Sequence, residues 1–361
     1  MGIGRVRPAI DGLAAYRPGK AAAQAEEEHG VEHAIKLASN ENPYAPVPAV
    51  AEAVAGVIDE VNRYADHRAS ELRAALAGWV GVDPAQVTVG CGSVGLLQQL
   101  CLTYLDPGDE AVFPWPSFEA YPICVKMMAA LPVNPPLVDH AFDLAAVADA
   151  VTERTKLVML ATPNNPTGTA VSTAQIGELL AAIPDHVVVL VDEAYREFND
   201  PALGDPVTDL VPNHPNVIVT RTFSKAYGLA GLRVGFAITD PSIVAQLDKI
   251  LIPFAVNAAG QAGALAALGA LDDIQPKIDL IRSERTRVVD SLTEAGWKLP
   301  PANANFVYLP TGEATVDIHL GLERRGVVTR PFPGEGIRVT IGTVEENDRF
   351  LRSLAEATAA E

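Results

Sequence analysis

The chain has 361 residues, 48% of them hydrophobic and 20% charged, with a formal net charge of −18. This composition excludes a disordered chain, and the acidic balance argues against nucleic acid or an anionic membrane as the main partner. Small anionic ligands stay open, because they respond to local charge only. Cys91, Cys101 and Cys124 show no metal-ligand spacing, and an odd count is a poor disulfide framework. No metal is therefore expected, and a reducing cytoplasm is the simplest setting. The first residues lack the apolar core of a signal peptide, and no apolar run suits a membrane span.

Residues 1–35 read as a polar, irregular arm with an Ala/Glu-rich middle. Lys36 to Pro43 is a turn cluster, and helical spacing follows over 48–61 and 71–79. From 86 to 240 strands and helices alternate. The strands are expected over 87–89, 110–113, 157–160, 187–191, 217–220 and 234–238, and the helices over 93–104, 118–128, 144–151 and 173–183. Short apolar strands separated by helices predict a mostly parallel sheet covered on both faces, with ligands outside the strands' carboxyl ends. Beyond residue 258 the texture changes. Helices over 258–271 and 277–295 precede strand-like pieces at 305–309, 327–329 and 337–341, which suggests a smaller α+β unit. The expected organisation is an arm (1–35), a large α/β domain (36–257) and a small C-terminal domain (258–361).

Four motifs follow strands. In the first, Val217-Ile218-Val219 runs into Thr222, Ser224 and Lys225, and Arg233 lies beyond a glycine-punctuated turn. Hydroxyls and a guanidinium around one lysine suit a phosphate cradle beside an amine nucleophile. In the second, Asp192 directly follows a buried strand, with Tyr195 three residues on. A carboxylate there needs a cationic partner or costs several kcal/mol. In the third, Asn165 projects from the turn Ala161 to Gly168. In the fourth, Val89-Gly90-Cys91-Gly92-Ser93-Val94 turns a strand into a helix N-terminus that favours phosphate. Each has a plain structural alternative: a solvated lysine, an N-cap aspartate, an ordinary turn, a common glycine-rich connection. Phe118 suits stacking on a flat ring or mere packing.

Taken together, Asn165-Pro166-Thr167-Gly168, Asp192-Glu193-Ala194-Tyr195 and Ser224-Lys225 with Arg233 resemble the fold-type I pyridoxal-phosphate aminotransferases, over residues 36–350. The likeness falls within the histidinol-phosphate aminotransferase group. Val89-Gly90-Cys91-Gly92-Ser93, Arg221 to Gly228 and Arg330-Pro331-Phe332 are most similar to its actinobacterial aromatic amino acid (phenylalanine) branch. The resemblance implies pyridoxal 5'-phosphate as cofactor, an amino acid and a 2-oxo acid as substrates, and a homodimer with shared active sites. It implies that Lys225 bonds the cofactor, that Asp192 pairs with the pyridinium, and that Tyr195 and Asn165 bond the phenolate oxygen. Thr222, Ser224, Arg233 and the backbone of Gly92, Ser93 and Val94 would hold the phosphate, with Phe118 on the ring. Tyr64 would reach the neighbouring subunit's phosphate. Arg338 would grip the substrate's anionic group, with Tyr16 and Arg330 lining its pocket. Aromatic amino acids with 2-oxoglutarate are the expected substrates, and histidinol phosphate is the alternative. A phosphate monoester usually recruits several cations; the candidates beyond Arg338 are Arg17, Lys20 and Arg330.

Overall fold

A computed structural model describes residues 4–16 and 18–359. Arg17 lies outside the described residues. The centre is a seven-stranded sheet in the order Val87–Cys91, Val234–Ile238, Val217–Thr222, Val188–Asp192, Thr155–Ala161, Glu110–Val112, Leu131–Val133. The inner strands are runs of buried Val, Leu and Ile, because helices cover both faces. Local signals start those helices. Ser172 and Gln175 form a capping box ahead of Thr173–Ala182, and Asp143 caps Leu144–Asp149.

Val234–Ile238 alone runs antiparallel to both its neighbours. Residues 223–233 are too few for the crossover that a parallel return requires, so the chain folds straight back. This reversal sets Arg233 beside the carboxyl end of Val217–Thr222. Leu131–Val133 was not among the expected strands. It is a short edge strand, where Pro132 costs no ladder bond that the sheet needs.

A second sheet has three antiparallel strands in the order Phe306–Leu309, Gly336–Thr340, Arg330–Phe332. The helices Leu271–Glu294, Thr315–Glu323 and Val344–Thr358 accompany it. Arg330–Phe332 also escaped the periodic reading, since it is short and carries a proline; it lies at the sheet edge.

The N-terminal arm departs from the irregular reading. Ala22–His29 is a helix ended by Gly30 in the left-handed region, with Ala25 fully buried against Ala38 and Val328. Ile35–Lys36 then pairs in parallel with Val327–Val328. The arm is thereby packed on the C-terminal part of the chain. No helix among the described residues is long and apolar enough to cross a membrane.

Candidate active site

Adjacent strands of the large sheet end together. The register pairs Ala161 with Asp192, Asp192 with Thr220, Thr222 with Gly235 and Val234 with Cys91. Over these ends lies a cavity of about 240 Å³. Lys225, Asp192, Tyr195, Asn165, Phe118, Ser93, Val94, Thr222, Ser224, Arg233, Arg338, Arg330 and Tyr16 all line it. The structure thus brings together residues from the N-terminal arm, the large sheet and the small sheet.

Gly92 opens the helix Gly92–Tyr104 at φ 69, and its N–H donates to the carbonyl of Arg233. A side chain on Gly92 would run into Arg233 Nη2, and one on Gly235 would run into the Ser93 nitrogen. Glycine at 92 leaves room for the guanidinium at the helix N-terminus, and glycine at 235 lets the strand run against the helix's first backbone atoms. The amides of Ser93 and Val94 belong to the first turn, which has no intrahelical acceptors. Thr222 Oγ1 donates to Ser224 Oγ at 3.0 Å, and Arg233 Nη1 reaches Ser224 Oγ at 3.4 Å. Two hydroxyls, a guanidinium and a helix N-terminus converge as a seat for a phosphate.

Asp192 ends its strand buried, and its Oδ2 accepts from Tyr121 Oη at 3.0 Å. Its Oδ1 is buried without any partner. Burial pushes this carboxyl up to about 6, against the opposing hydrogen bond from Tyr121 and the charge of Lys225. An orphaned carboxylate oxygen on a residue that lines the cavity fits a cationic N–H of a bound group. Glu193, the next residue, points the other way and pairs with Arg221 at 2.7 Å, following strand alternation.

Lys225 Nζ donates to the Ser39 carbonyl at 3.1 Å and stands 5.8 Å from the Tyr195 ring centre. Burial lowers its pKa to about 7, and the charges of Arg338 and Arg233 add to this. About half of the amine is therefore neutral, and nucleophilic, near pH 7.

Tyr195 is buried, and its Oη accepts from Asn40 Nδ2 at 2.9 Å. That leaves the hydroxyl proton free to donate. Its pKa is pushed up to about 12 by burial, opposed by Arg338 and Asn40. Arg338, also buried, donates to Asn165 Oδ1 and to the Ala38 carbonyl. The first contact turns the Asn165 carboxamide so that its NH2 is the group left to donate. Arg338 Nε is buried without a partner, and Phe306 lies beneath the guanidinium at 5.6 Å.

Tyr64 is not in this cavity. It is 83% exposed and stacks on Phe254 at 4.2 Å. Sequence reasoning missed Tyr121, Asn40 and Glu119. Tyr121 follows Phe118 by one helical turn, which was a usable signal. Asn40 and Glu119 gain their meaning only from partners far away in the chain.

The class I and II aminotransferase family profile matches residues 32–354. An aromatic amino acid aminotransferase of Cutibacterium acnes is 48% identical over 353 residues, covering 97% of this chain and 98% of the relative. One of Mycobacterium tuberculosis is 46% identical, covering 96% and 97%. Among solved structures, the histidinol-phosphate aminotransferase of Sinorhizobium meliloti with pyridoxal 5'-phosphate superimposes with a TM-score of 0.92, at 29% identity, covering 99% of each chain.

Proposed function

The chain belongs to the class I and II aminotransferases, and from that premise we propose that it moves the amino group between an aromatic amino acid and a 2-oxo acid such as 2-oxoglutarate. Its cofactor is pyridoxal 5'-phosphate. The substrate reading rests on one observation above others: relatives 45–48% identical along nearly their whole length carry that activity in their names. The histidinol-phosphate alternative has the support of the structural neighbour at 29% identity. Catalytic efficiency with phenylalanine and tyrosine against histidinol phosphate tests the choice. A higher value for histidinol phosphate reverses it.

When bound, the cofactor supplies a carbonyl that condenses with amines and a ring that takes up the electron pair left by a departing α-proton. In this reading Lys225 Nζ is the amine that bonds the cofactor, and afterwards the base and acid that move the α-proton. Its depressed pKa suits both tasks near neutrality. Asp192 Oδ1 receives the ring N–H and holds that proton, while Tyr121 fixes the other oxygen. Tyr195 and Asn165 donate to the phenolate oxygen, and Phe118 covers the ring. Thr222, Ser224, Arg233 and the amides of Gly92, Ser93 and Val94 bind the phosphate. Arg338 takes the substrate carboxylate in a charge-assisted fork, with Tyr16 and Arg330 beside the side chain.

A homodimer in the cytoplasm completes the reading. Tyr64, Ile58, Val61 and Ile252 are each more than half exposed, and a second copy covering this patch would carry Tyr64 towards the other subunit's phosphate. The same reading keeps a large domain over 36–257 and a small one over 258–361. The arm 1–35 rides on the small one through the pairing at Ile35–Lys36.

A further inference from the structure

We propose that Glu119 sets the charge at the substrate end of the cavity: it cancels Arg330, leaves Arg338 as the single free cation there among the described residues, and so favours a singly charged carboxylate at Arg338 over a doubly charged phosphate monoester in its place. This rests on the aminotransferase reading above and names the substrate class of the same site.

Arg330 and Arg338 stand directly opposite each other on antiparallel strands, so their side chains leave the sheet on one face. Two guanidiniums side by side would suit a dianion. Glu119 changes that count. It lies just before the helix Ala120–Met127 and lines the same cavity. Arg330 Nη2 donates to its two carboxylate oxygens at 2.7 and 2.6 Å, and Nε donates at 3.2 Å. The remaining Nη1 leans towards the Pro18 carbonyl at 3.4 Å. Arg330 thus has a committed counter-ion and few donors left over.

Arg338 differs. Its partners, the Ala38 carbonyl and Asn165 Oδ1, are neutral oxygens, and its Nε has no partner. It keeps its whole charge for a ligand. Lys20 offers no second cation, for it is bonded to Glu28 at 2.5 Å and Glu323 at 3.0 Å and does not line the cavity. Lys225 and Arg233 belong to the cofactor end. Glu41 also lines the cavity but is paired with Lys36 at 2.9 Å; among the described residues, the two guanidiniums and the Glu119 carboxylate then leave one positive charge at the substrate end. A carboxylate matches it. A phosphate monoester, with about −1.5 to −2 charges at pH 7, finds one cation too few and the Glu119 carboxylate nearby.

Glu119 acts through Arg330, so its signature is a change in preference rather than a general loss. The test compares wild type, Glu119→Gln and Glu119→Gln/Arg330→Gln as holoenzymes. Amine half-reactions are followed without an acceptor, because 2-oxoglutarate is itself a dianion and would gain as well. In Glu119→Gln the efficiency ratio of histidinol phosphate to phenylalanine should rise about tenfold, chiefly through tighter binding, as a like charge is withdrawn. Phenyl phosphate should become a correspondingly stronger inhibitor, and 3-phenylpropanoate should change less. The double variant should return the ratio close to wild type. An unmoved ratio in Glu119→Gln, or an equal rise in the double variant, overturns the proposal. A wild type that prefers histidinol phosphate overturns the aromatic reading instead, and the response to Glu119→Gln still decides this one.

Discussion

At one end of the cavity, Asp192, Thr222, Ser224, Lys225 and Arg233 occupy the ends of neighbouring strands in one sheet. At the other, Tyr16 comes from the arm, Glu119 from the start of a helix, and Arg330 and Arg338 from the small sheet. The first group is positioned by the backbone that carries it. The second is positioned by contacts across the fold, such as Arg338 to Asn165, 173 residues apart. On the function proposed above, the chemistry common to all substrates would sit on the rigid frame, and selectivity where separate parts meet. Such a division lets substrate choice change without disturbing the reacting atoms.

Substitutions at the cofactor end should therefore damage turnover with every substrate, and those at the substrate end should act on binding and choice. The sharpest test is Lys225→Ala. Turnover should fall at least about 10³-fold with all amino acids, since the nucleophile and the proton carrier are lost together. Cofactor should still bind without a covalent link. Borohydride reduction of the wild type should fix label on the peptide holding Lys225, and label on Lys36 or Lys249 would refute the assignment. Next comes Asp192→Asn, which keeps the shape and removes the charge. A loss of about 10²-fold in kcat is expected, by comparison with losing one preorganised electrostatic contact. Near-normal kcat there would place the ring's acid elsewhere.

Arg338→Ala should break the symmetry between the ends. Removing a charge-assisted fork should weaken amino acid use by roughly 10- to 100-fold, seen mainly in KM, with cofactor retention unchanged by absorbance. Equal damage to cofactor binding would merge the two ends into one unit. Tyr121→Phe should have a smaller effect. It deletes the bond to Asp192 Oδ2, which raises the carboxyl further, and kcat should drop about two- to tenfold.

A last prediction concerns stability. The Asp192 carboxyl is raised from 3.8 to about 6 in the folded, cofactor-free protein. The folded state thus holds a proton that the unfolded state has released between those values. The cost of ionising is full above pH 6 and disappears below the ordinary value. Asp192→Asn should stabilise the cofactor-free protein by about 3 kcal/mol at pH 7.5, and the gain should shrink as pH falls from 6 towards 4. Denaturant melts at both ends of that range check it. A gain that persists at pH 4 would trace to packing instead.

Much of the frame was legible in the residues. The β-branched runs at 187–191 and 217–220, each followed by a polar residue, placed the strand ends and their chemistry. Periodicity and turn signals act over a few residues, and this sheet was assembled from such pieces. The Ala22–His29 helix was misjudged because its polar composition hid the one residue, Ala25, that docks it. Leu131–Val133 and Arg330–Phe332 are short and proline-bearing, and pairing with a neighbour makes them strands.

The sequence by itself determined the resemblance to the family, with it the cofactor, and many of the side chains that meet the cavity, because glycines, hydroxyls and strand-end carboxylates carry their reasons locally; Asn40 and Glu119 line it without such a signal. Tertiary structure alone decided which charges are spent and which are free. Arg330 and Arg338 look alike in the chain, yet one faces Glu119 and the other faces two neutral oxygens. Asp192 and Glu193 are neighbours, yet one oxygen of Asp192 is orphaned towards the cavity while Glu193 is paired with Arg221. Electrostatic energy depends on distance and burial in three dimensions, and neither can be read from residue order.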